Sequence, residues 1–432
     1  MPPFFIMRLV PLAVVATLLS ISCSDPSVEG WRNQPIPIRL VANTPLVDIR
    51  FDDGPTLPAV IACSAPLSIV SNYRELPFVG PADHPWAGKR MVINPTPGAR
   101  RYGRLFLYDA VHGDVVRFVF DRQEVFDLPV GRFGLPEIEA HAVIGTSILG
   151  RFAVQLDLDP QAPSIVLRDD IPDTDQELAG DCDPQSWLSG TRPSSPCLTV
   201  LQTPRSGGAF ATVDGHEIDL PAARLVTPVC LAPDSFRPSA ISAVALETTG
   251  LSVTAVLSSD QNISLLARSA YQRLPPSAIL VPARPTELRI GAETHAVELV
   301  TVKSAAIVDS KDDELAACGE LARRRRLLLA ARSGRDRRDS DKDGAASIFV
   351  DQPLEVAIID DGATLWTGLR GELRPNYPDI DMVIGTNLLK HFRADFDYPK
   401  GRTILQCVDL ASDDCRALPY CSHDGTNGPP CP

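Results

Sequence analysis

The sequence predicts an all-β chain of two related lobes, with short helices only. Two observations carry this. The chain holds 40 prolines, and its many short Val, Ile and Leu runs are broken by Gly, Pro, Asp and Asn. That punctuation belongs to strands and turns. The second observation is a repeat. The stretch VIGTSILGRFAVQLDLDP, from Val143 to Pro160, returns as VIGTNLLKHFRADFDYP, from Val383 to Pro399. Each copy runs through an apolar pair, a Gly, a short amphipathic segment and a strand. So long a period exceeds the roughly 20–50 residues of solenoid units and marks two lobes in one chain.

Composition sets the bounds. At 432 residues, 44% hydrophobic and with a mean hydropathy of +0.01, the chain can bury a large core in two or three domains. Its net charge of −13 argues against a nucleic-acid surface, which needs a basic stripe.

The elements follow in order. Residues 1–23 read as an export signal. Arg8 precedes an apolar run from Leu9 to Leu19, too short to span a bilayer, which ends Ser20-Ile21-Ser22-Cys23. That ending resembles the lipobox of bacterial lipoproteins. The resemblance implies lipidation of Cys23, a membrane partner reached through that lipid, and a place in the bacterial cell envelope, with Ser24 favouring the outer membrane. Residues 24–34 are a tether. Residues 35–168 form a strand-rich lobe, and residues 169–206 a polar linker. Residues 207–407 form a second lobe, interrupted by a charged insert, 311–347, that reads as a partly helical, largely disordered loop. Residues 408–432 are a Cys-rich tail.

Ten cysteines agree with an oxidising compartment. Cys182 and Cys197 bracket the linker and are expected to pair. Cys230 and Cys318 are a candidate pair inside the second lobe. Cys407, Cys415, Cys421 and Cys431 are expected to pair among themselves. Cys63, flanked by apolar residues, is left as a buried free thiol. No C-x-x-C pair and no H-E-x-x-H spacing occurs, so no metal site is expected.

Each repeated Val-Ile-Gly resembles the hydrophobic-hydrophobic-Gly motif of the aspartic proteases. In that family a strand bearing Asp-Thr/Ser-Gly threads past a Gly-containing strand, which supports the catalytic loop from behind. The segments LDLDPQAPSIVL and FDYPKGRTIL resemble the strand pair that closes such a lobe. The resemblance covers most of residues 35–407. It implies two β-barrel lobes with a cleft between them, structural roles for Gly145 and Gly385, and no cofactor. A lobe of the family's size puts the catalytic triplet about 80–90 residues before each Val-Ile-Gly. There the strand Val47–Phe51, a turn at Asp52-Asp53-Gly54-Pro55 and the return strand Pro58–Ile61 lead to Ala62-Cys63-Ser64. In the second lobe Thr254–Leu257 leads to Ser258-Ser259-Asp260.

Neither triplet supplies the two carboxylates, sharing one proton, that aspartic proteolysis needs. Ala62 has no titratable group. Ser258 shows no acidic or basic partner in the sequence, and Asp260 stands two places late. The expected function is therefore an inactive homologue that binds a peptide or protein ligand near Ala62 and Ser258. The runner-up is a divergent hydrolase using Asp360 with Asp53 or Asp260, and a third reading is a structural lipoprotein. Asp360-Asp361-Gly362 looks like a catalytic triplet but lies about 20 residues before the second Val-Ile-Gly, too close to contain the hairpins of a lobe, and reads as the turn after a strand. Asp339, Asp341, Asp343 and Gly344 resemble the start of a calcium loop, but Val350 stands where its closing Glu belongs. Asn262-Ile263-Ser264 is a glycosylation sequon by pattern only.

Overall fold

The computed structural model describes residues 28–30, 32–70, 90–93, 96–109, 115–127, 132–135, 137–171, 198–207, 210–213, 216–219, 222–233, 250–291, 293–309, 317–322, 346–373, 376–377, 379–408 and 415–418. The lipidation candidate Cys23 and the cysteines Cys182, Cys197, Cys421 and Cys431 lie outside them, as does the Asp339–Gly344 stretch.

Strands dominate, and the described helices are short, the longest being Thr364–Leu373. Each lobe builds the same crossing. In the first, Ala142–Ile144 runs parallel to Thr56–Ile61, with Ile144 opposite Ile61, and antiparallel to Ile69–Val70. In the second, Ile380–Ile384 runs parallel to Leu251–Leu257, with Ile384 opposite Leu257, and antiparallel to Ser264–Ala267. The Val-Ile-Gly strand thus lies between the strand that enters each triplet and the strand that leaves it. These strands are buried along their length and apolar except for Asp381, as strands covered on both sides tend to be.

A six-stranded sheet joins the lobes. Its order is Leu198–Gln202, Arg402–Cys407, Phe392–Asp397, Ala153–Asp157, Ser164–Arg168, Ile36–Pro37. The two central strands are the equivalent strands of the two repeats. They pair antiparallel, Ala153 opposite Asp397 and Asp157 opposite Arg393, so the sheet has a local two-fold at Gln155 and Asp395. One hydrophobic core runs through both lobes and includes Phe118, Phe120, Phe152, Phe392 and Phe396.

The lobes also exchange hairpin tips. The hairpin Phe210–Val213/His216–Asp219 follows the linker, yet it joins the first lobe's sheet, Thr212 opposite Val92 and Val213 opposite Met91. In return Arg132–Gly134 of the first lobe pairs with Arg289–Gly291 at the tip of the second lobe's long hairpin. A strand edge that finds a partner on the other lobe is covered rather than open.

Three boundaries differ from those the sequence suggested. Residues 28–30 of the tether form a strand against Phe118–Phe120. The linker's last residues, Leu198–Gln202, are an edge strand of the shared sheet. The tail is not separate either, since Cys415–Leu418 pairs with Ser347–Val350. Disulfides join Cys230 to Cys318 and Cys407 to Cys415, while Cys63 is a buried free thiol. The first bridge pins the short helix 317–322, at the start of the insert, onto the second lobe. Among the described residues no helix is long and apolar enough to cross a membrane.

Candidate functional site: two triplets at the lobe junction

The two triplets meet where the lobes join. The Ser259 hydroxyl accepts the Cys63 backbone N–H at 2.9 Å and donates to the Ile61 carbonyl at 2.6 Å. The reverse contact is weaker, Cys63 Sγ to the Leu257 carbonyl at 4.0 Å. Each middle residue of a triplet thus grips the backbone of the other. The supporting bonds repeat in matched pairs. The N–H of Ala62 donates to the Ile144 carbonyl and that of Ser258 to the Ile384 carbonyl, both at 2.9 Å. The N–H groups of Gly145 and Gly385 donate to the hydroxyls of Ser68 and Ser264, both at 3.1 Å. The Thr146 and Thr386 hydroxyls donate to the Ala65 and Gln261 carbonyls, again both at 3.1 Å.

The fold is all-β and bilobal.

Both glycines of the repeat are there for closeness. A Cβ on Gly145 would sit 2.2 Å from the Leu67 carbonyl oxygen, and one on Gly385 2.5 Å from that of Ile263. The backbone that follows each triplet passes where a side chain would be, so only glycine fits.

The chemistry at the junction is not that of a carboxylate pair. Ala62 is an inert methyl. The Ser64 hydroxyl donates to Ser258 Oγ at 3.4 Å, and the Ser258 hydroxyl donates to Asp260 Oδ1. This corrects one expectation: Ser258 does have an acidic partner, because the turn after Leu257 brings Asp260 back toward it. Hydroxyl, hydroxyl and carboxylate form a chain with one negative end. A carboxylate alone is too weak a base to make an alkoxide of a serine, and among the described residues neither serine bonds an imidazole or ammonium. The chain can hold a polar group, and it lacks the second acid that would polarise a peptide carbonyl.

The centre is closed to solvent: Ala62 and Ser64 are 0% exposed and Ser258 4%. Burial pushes the Cys63 thiol up to about 12, with the nearby Asp260 charge adding to the rise. The Tyr398 phenol, also buried, donates to the Cys63 carbonyl at 2.6 Å, and desolvation holds it well above its ordinary value. Arg224 crosses from the second lobe to the Ser64 carbonyl at 2.9 Å and pairs with Glu372 at 3.3 Å. Among the described residues no cluster of His, Cys, Asp and Glu is placed to hold a metal.

The remaining candidates lie elsewhere. Asp360 sits in a turn closed by Ala363 N–H donating to the Asp360 carbonyl at 2.9 Å. Its side chain is 70% exposed and pairs with Arg268. Asp53 is exposed in the turn after Phe51, where Gly54 N–H reaches the Phe51 carbonyl at 3.0 Å. Asn262 is a polar clamp rather than a glycosylation marker. Its side chain accepts the Leu135 N–H at 2.9 Å and donates to the Leu135 carbonyl, tying the lobes together. Nothing in the local sequence announces that contact, since its partner is 127 residues away.

A cavity of about 650 Å³ opens along the seam beside this clamp. Ala42, Asn43 and Leu135 of the first lobe face the second lobe across it, and neither Ala62 nor Ser258 lines it.

No family model and no curated protein matches the chain. Among solved structures, the chain is similar to an aspartic proteinase from Irpex lacteus at 10% identity, over 90% of this chain and 99% of that one, with a TM-score of 0.37. It is also similar to Basic 7S globulin from soybean at 12% identity, over 89% and 96% of the two chains, with a TM-score of 0.39.

Proposed function

We propose that this chain is an exported, lipid-anchored, aspartic-protease-like protein of the bacterial cell envelope that binds a peptide or protein segment and does not cut it. The observation that supports inertness is the pair Ala62 and Ser258. They occupy the first positions of the gripped triplets, where the family resemblance asks for aspartates, and one methyl and one hydroxyl cannot share a proton. Asp260 is a single carboxylate, bonded to Ser258, and leaves a polar recognition group at the junction.

Hydrolysis of unfolded protein substrates between about pH 3 and 7, where a carboxylate pair titrates, is the direct test. The expected result is no pepstatin-sensitive turnover. Turnover abolished by Asp260→Asn would overturn the reading and make that carboxylate catalytic. Anchoring is tested separately. Cys23→Ala is expected to release the protein from the membrane fraction or leave it unprocessed, and unchanged partitioning would remove the lipid anchor from the proposal.

A purely structural envelope role is the second reading. The burial of Ala62, Ser64 and Ser258 favours it, because a ligand reaching them must first displace what covers them. Calorimetry against a peptide library separates the two: binding weakened by Asp260→Asn supports recognition at the junction, and no binding of any peptide supports the structural role.

A further inference from the structure

The strand that follows the N-terminal tether fixes which part of the first lobe lies near a membrane. Val28–Gly30 pairs with Val116–Asp127, Val28 opposite Phe120. Only four residues, 24–27, separate Val28 from Cys23. The five Cα steps from one to the other span at most about 18 Å. A lipid on Cys23, the reading on which this inference rests, holds that edge of the lobe within about 18 Å of the bilayer surface.

One face of the sheet beside that edge carries the groups that a headgroup layer accepts. Glu29, Val119, Phe106 and Arg50 stand opposite one another in a single row across four neighbouring strands. At about 4.8 Å per strand, Arg50 lies roughly 14 Å across the sheet from the tethered strand. Val119, Phe106 and Arg50 are each half-buried. The next row holds Asp48, Tyr108 and Val116, and Val115 and Val116 are 40% and 39% exposed. Arg50 is the excess charge of this face. Its guanidinium lies over the Phe106 ring at 4.6 Å and near the Tyr108 ring at 5.8 Å. Asp48 pairs with Arg39, Asp109 with Arg117 and Asp121 with Arg104. No carboxylate pairs with Arg50 among the described residues, and its buried Nε has no hydrogen-bond partner. A guanidinium held on aromatic rings keeps its edge for an acceptor, and phosphate oxygens fit that edge. Exposed apolar side chains beside a cation are the usual composition of a membrane-contact surface.

We propose that the first lobe lies against the bilayer by this face, with Arg50 on the phosphate of an anionic phospholipid and Val115 and Val116 in the headgroup layer. A chain of net charge −13 is repelled by an anionic bilayer as a whole, so the contact depends on this local cation. None of these residues lines the seam cavity, which the contact therefore leaves uncovered.

The test uses the full chain purified from the membrane fraction and reconstituted into vesicles of phosphatidylethanolamine with phosphatidylglycerol, or of phosphatidylcholine alone. A photo-crosslinking p-benzoylphenylalanine replaces Val115 in one protein and Leu280, exposed on the second lobe, in another. Mass spectrometry counts the phospholipid adducts. Adducts are expected at position 115 and to be at least about tenfold scarcer at position 280. On the phosphatidylglycerol vesicles Arg50→Gln is expected to lower the adducts at position 115 about fivefold, the worth of one arginine near an anionic surface. On phosphatidylcholine the same substitution is expected to change them little. Val116→Glu, at an exposed position that does not threaten folding, is expected to lower them on both vesicles. Equal adducts at the two positions, or indifference to both Arg50→Gln and Val116→Glu, would overturn the inference while the protein still floats with the vesicles. Protein that does not float with them would remove the lipid anchor, and this inference with it.

Discussion

Gln155 and Asp395 stand at the same point of the two repeats and are hydrogen-bonded to each other, Gln155 Nε2 donating to Asp395 Oδ2 at 3.2 Å. They lie on the local two-fold of the shared sheet, so the symmetry of the lobes is broken there by one side-chain charge. Burial raises the Asp395 carboxyl above its ordinary range, against the opposing pull of Arg168 and the Gln155 bond. The folded chain then holds that proton more tightly than the unfolded chain does. The stabilising contribution is present at low pH and is lost as pH rises through the folded pKa.

Asp395→Asn keeps an amide for Gln155 and removes the charge. It is expected to raise stability at pH 7 by on the order of 1 kcal/mol, with the gain fading toward about pH 3. Thermal melts of the two proteins at both pH values check this. A loss of stability at pH 7 would mean that the Arg168 pairing outweighs the cost of burial.

The Ser259 grip carries two buried bonds on one oxygen. Ser259→Ala should leave the Cys63 N–H and the Ile61 carbonyl unpaired and cost about 2–4 kcal/mol in denaturant unfolding. Ser259→Thr restores the oxygen and is expected to recover most of that. If alanine proves neutral, the junction relaxes around the loss and the grip is not a stability element.

Cys63 should behave as a core residue, not as a reactive thiol. With its pKa pushed up to about 12, native protein at pH 8 is expected to resist iodoacetamide until denaturant is added. A thiol so placed is thiolate roughly once in ten thousand at that pH. Mass spectrometry of the alkylated protein reads the outcome, and rapid native labelling would show that the junction opens to solvent.

Two acids can be introduced at the first positions of the triplets. Ala62→Asp with Ser258→Asp places two carboxylates in a closed centre that already holds the Asp260 side chain. Each raises the other's pKa, so the folded form binds protons more strongly, and its stability is lost as pH rises. The double variant is expected to be much less stable than the parent at pH 7 and close to it near about pH 4. Equal stability at both would indicate a centre already hydrated.

The repeat was legible because its residues answer to local demands. Gly145 and Gly385 must pass close to a backbone oxygen, and Val143, Ile144, Val383 and Ile384 must be apolar on both faces, so both signals survive in a single sequence. The triplets were legible by their flanks rather than by their chemistry. The exchange of hairpins was not. Thr212 and Val213 find Met91 and Val92 through backbone bonds, which leave no mark on residue type. The Ser258–Asp260 bond depends on the path of one turn, and the seam cavity on surfaces brought together from both lobes.

The shared sheet has a consequence for any fragment of this chain. Ala153–Asp157 faces Phe392–Asp397 in a register that is its own mirror under the two-fold. A product ending after Ile171 would carry an uncovered ribbon whose best available complement is itself, Gln155 opposite Gln155 of a second molecule. Truncation would therefore turn an internal seam into an assembly code, and the half-length product would emerge from sizing columns as a homodimer rather than as half of a broken whole.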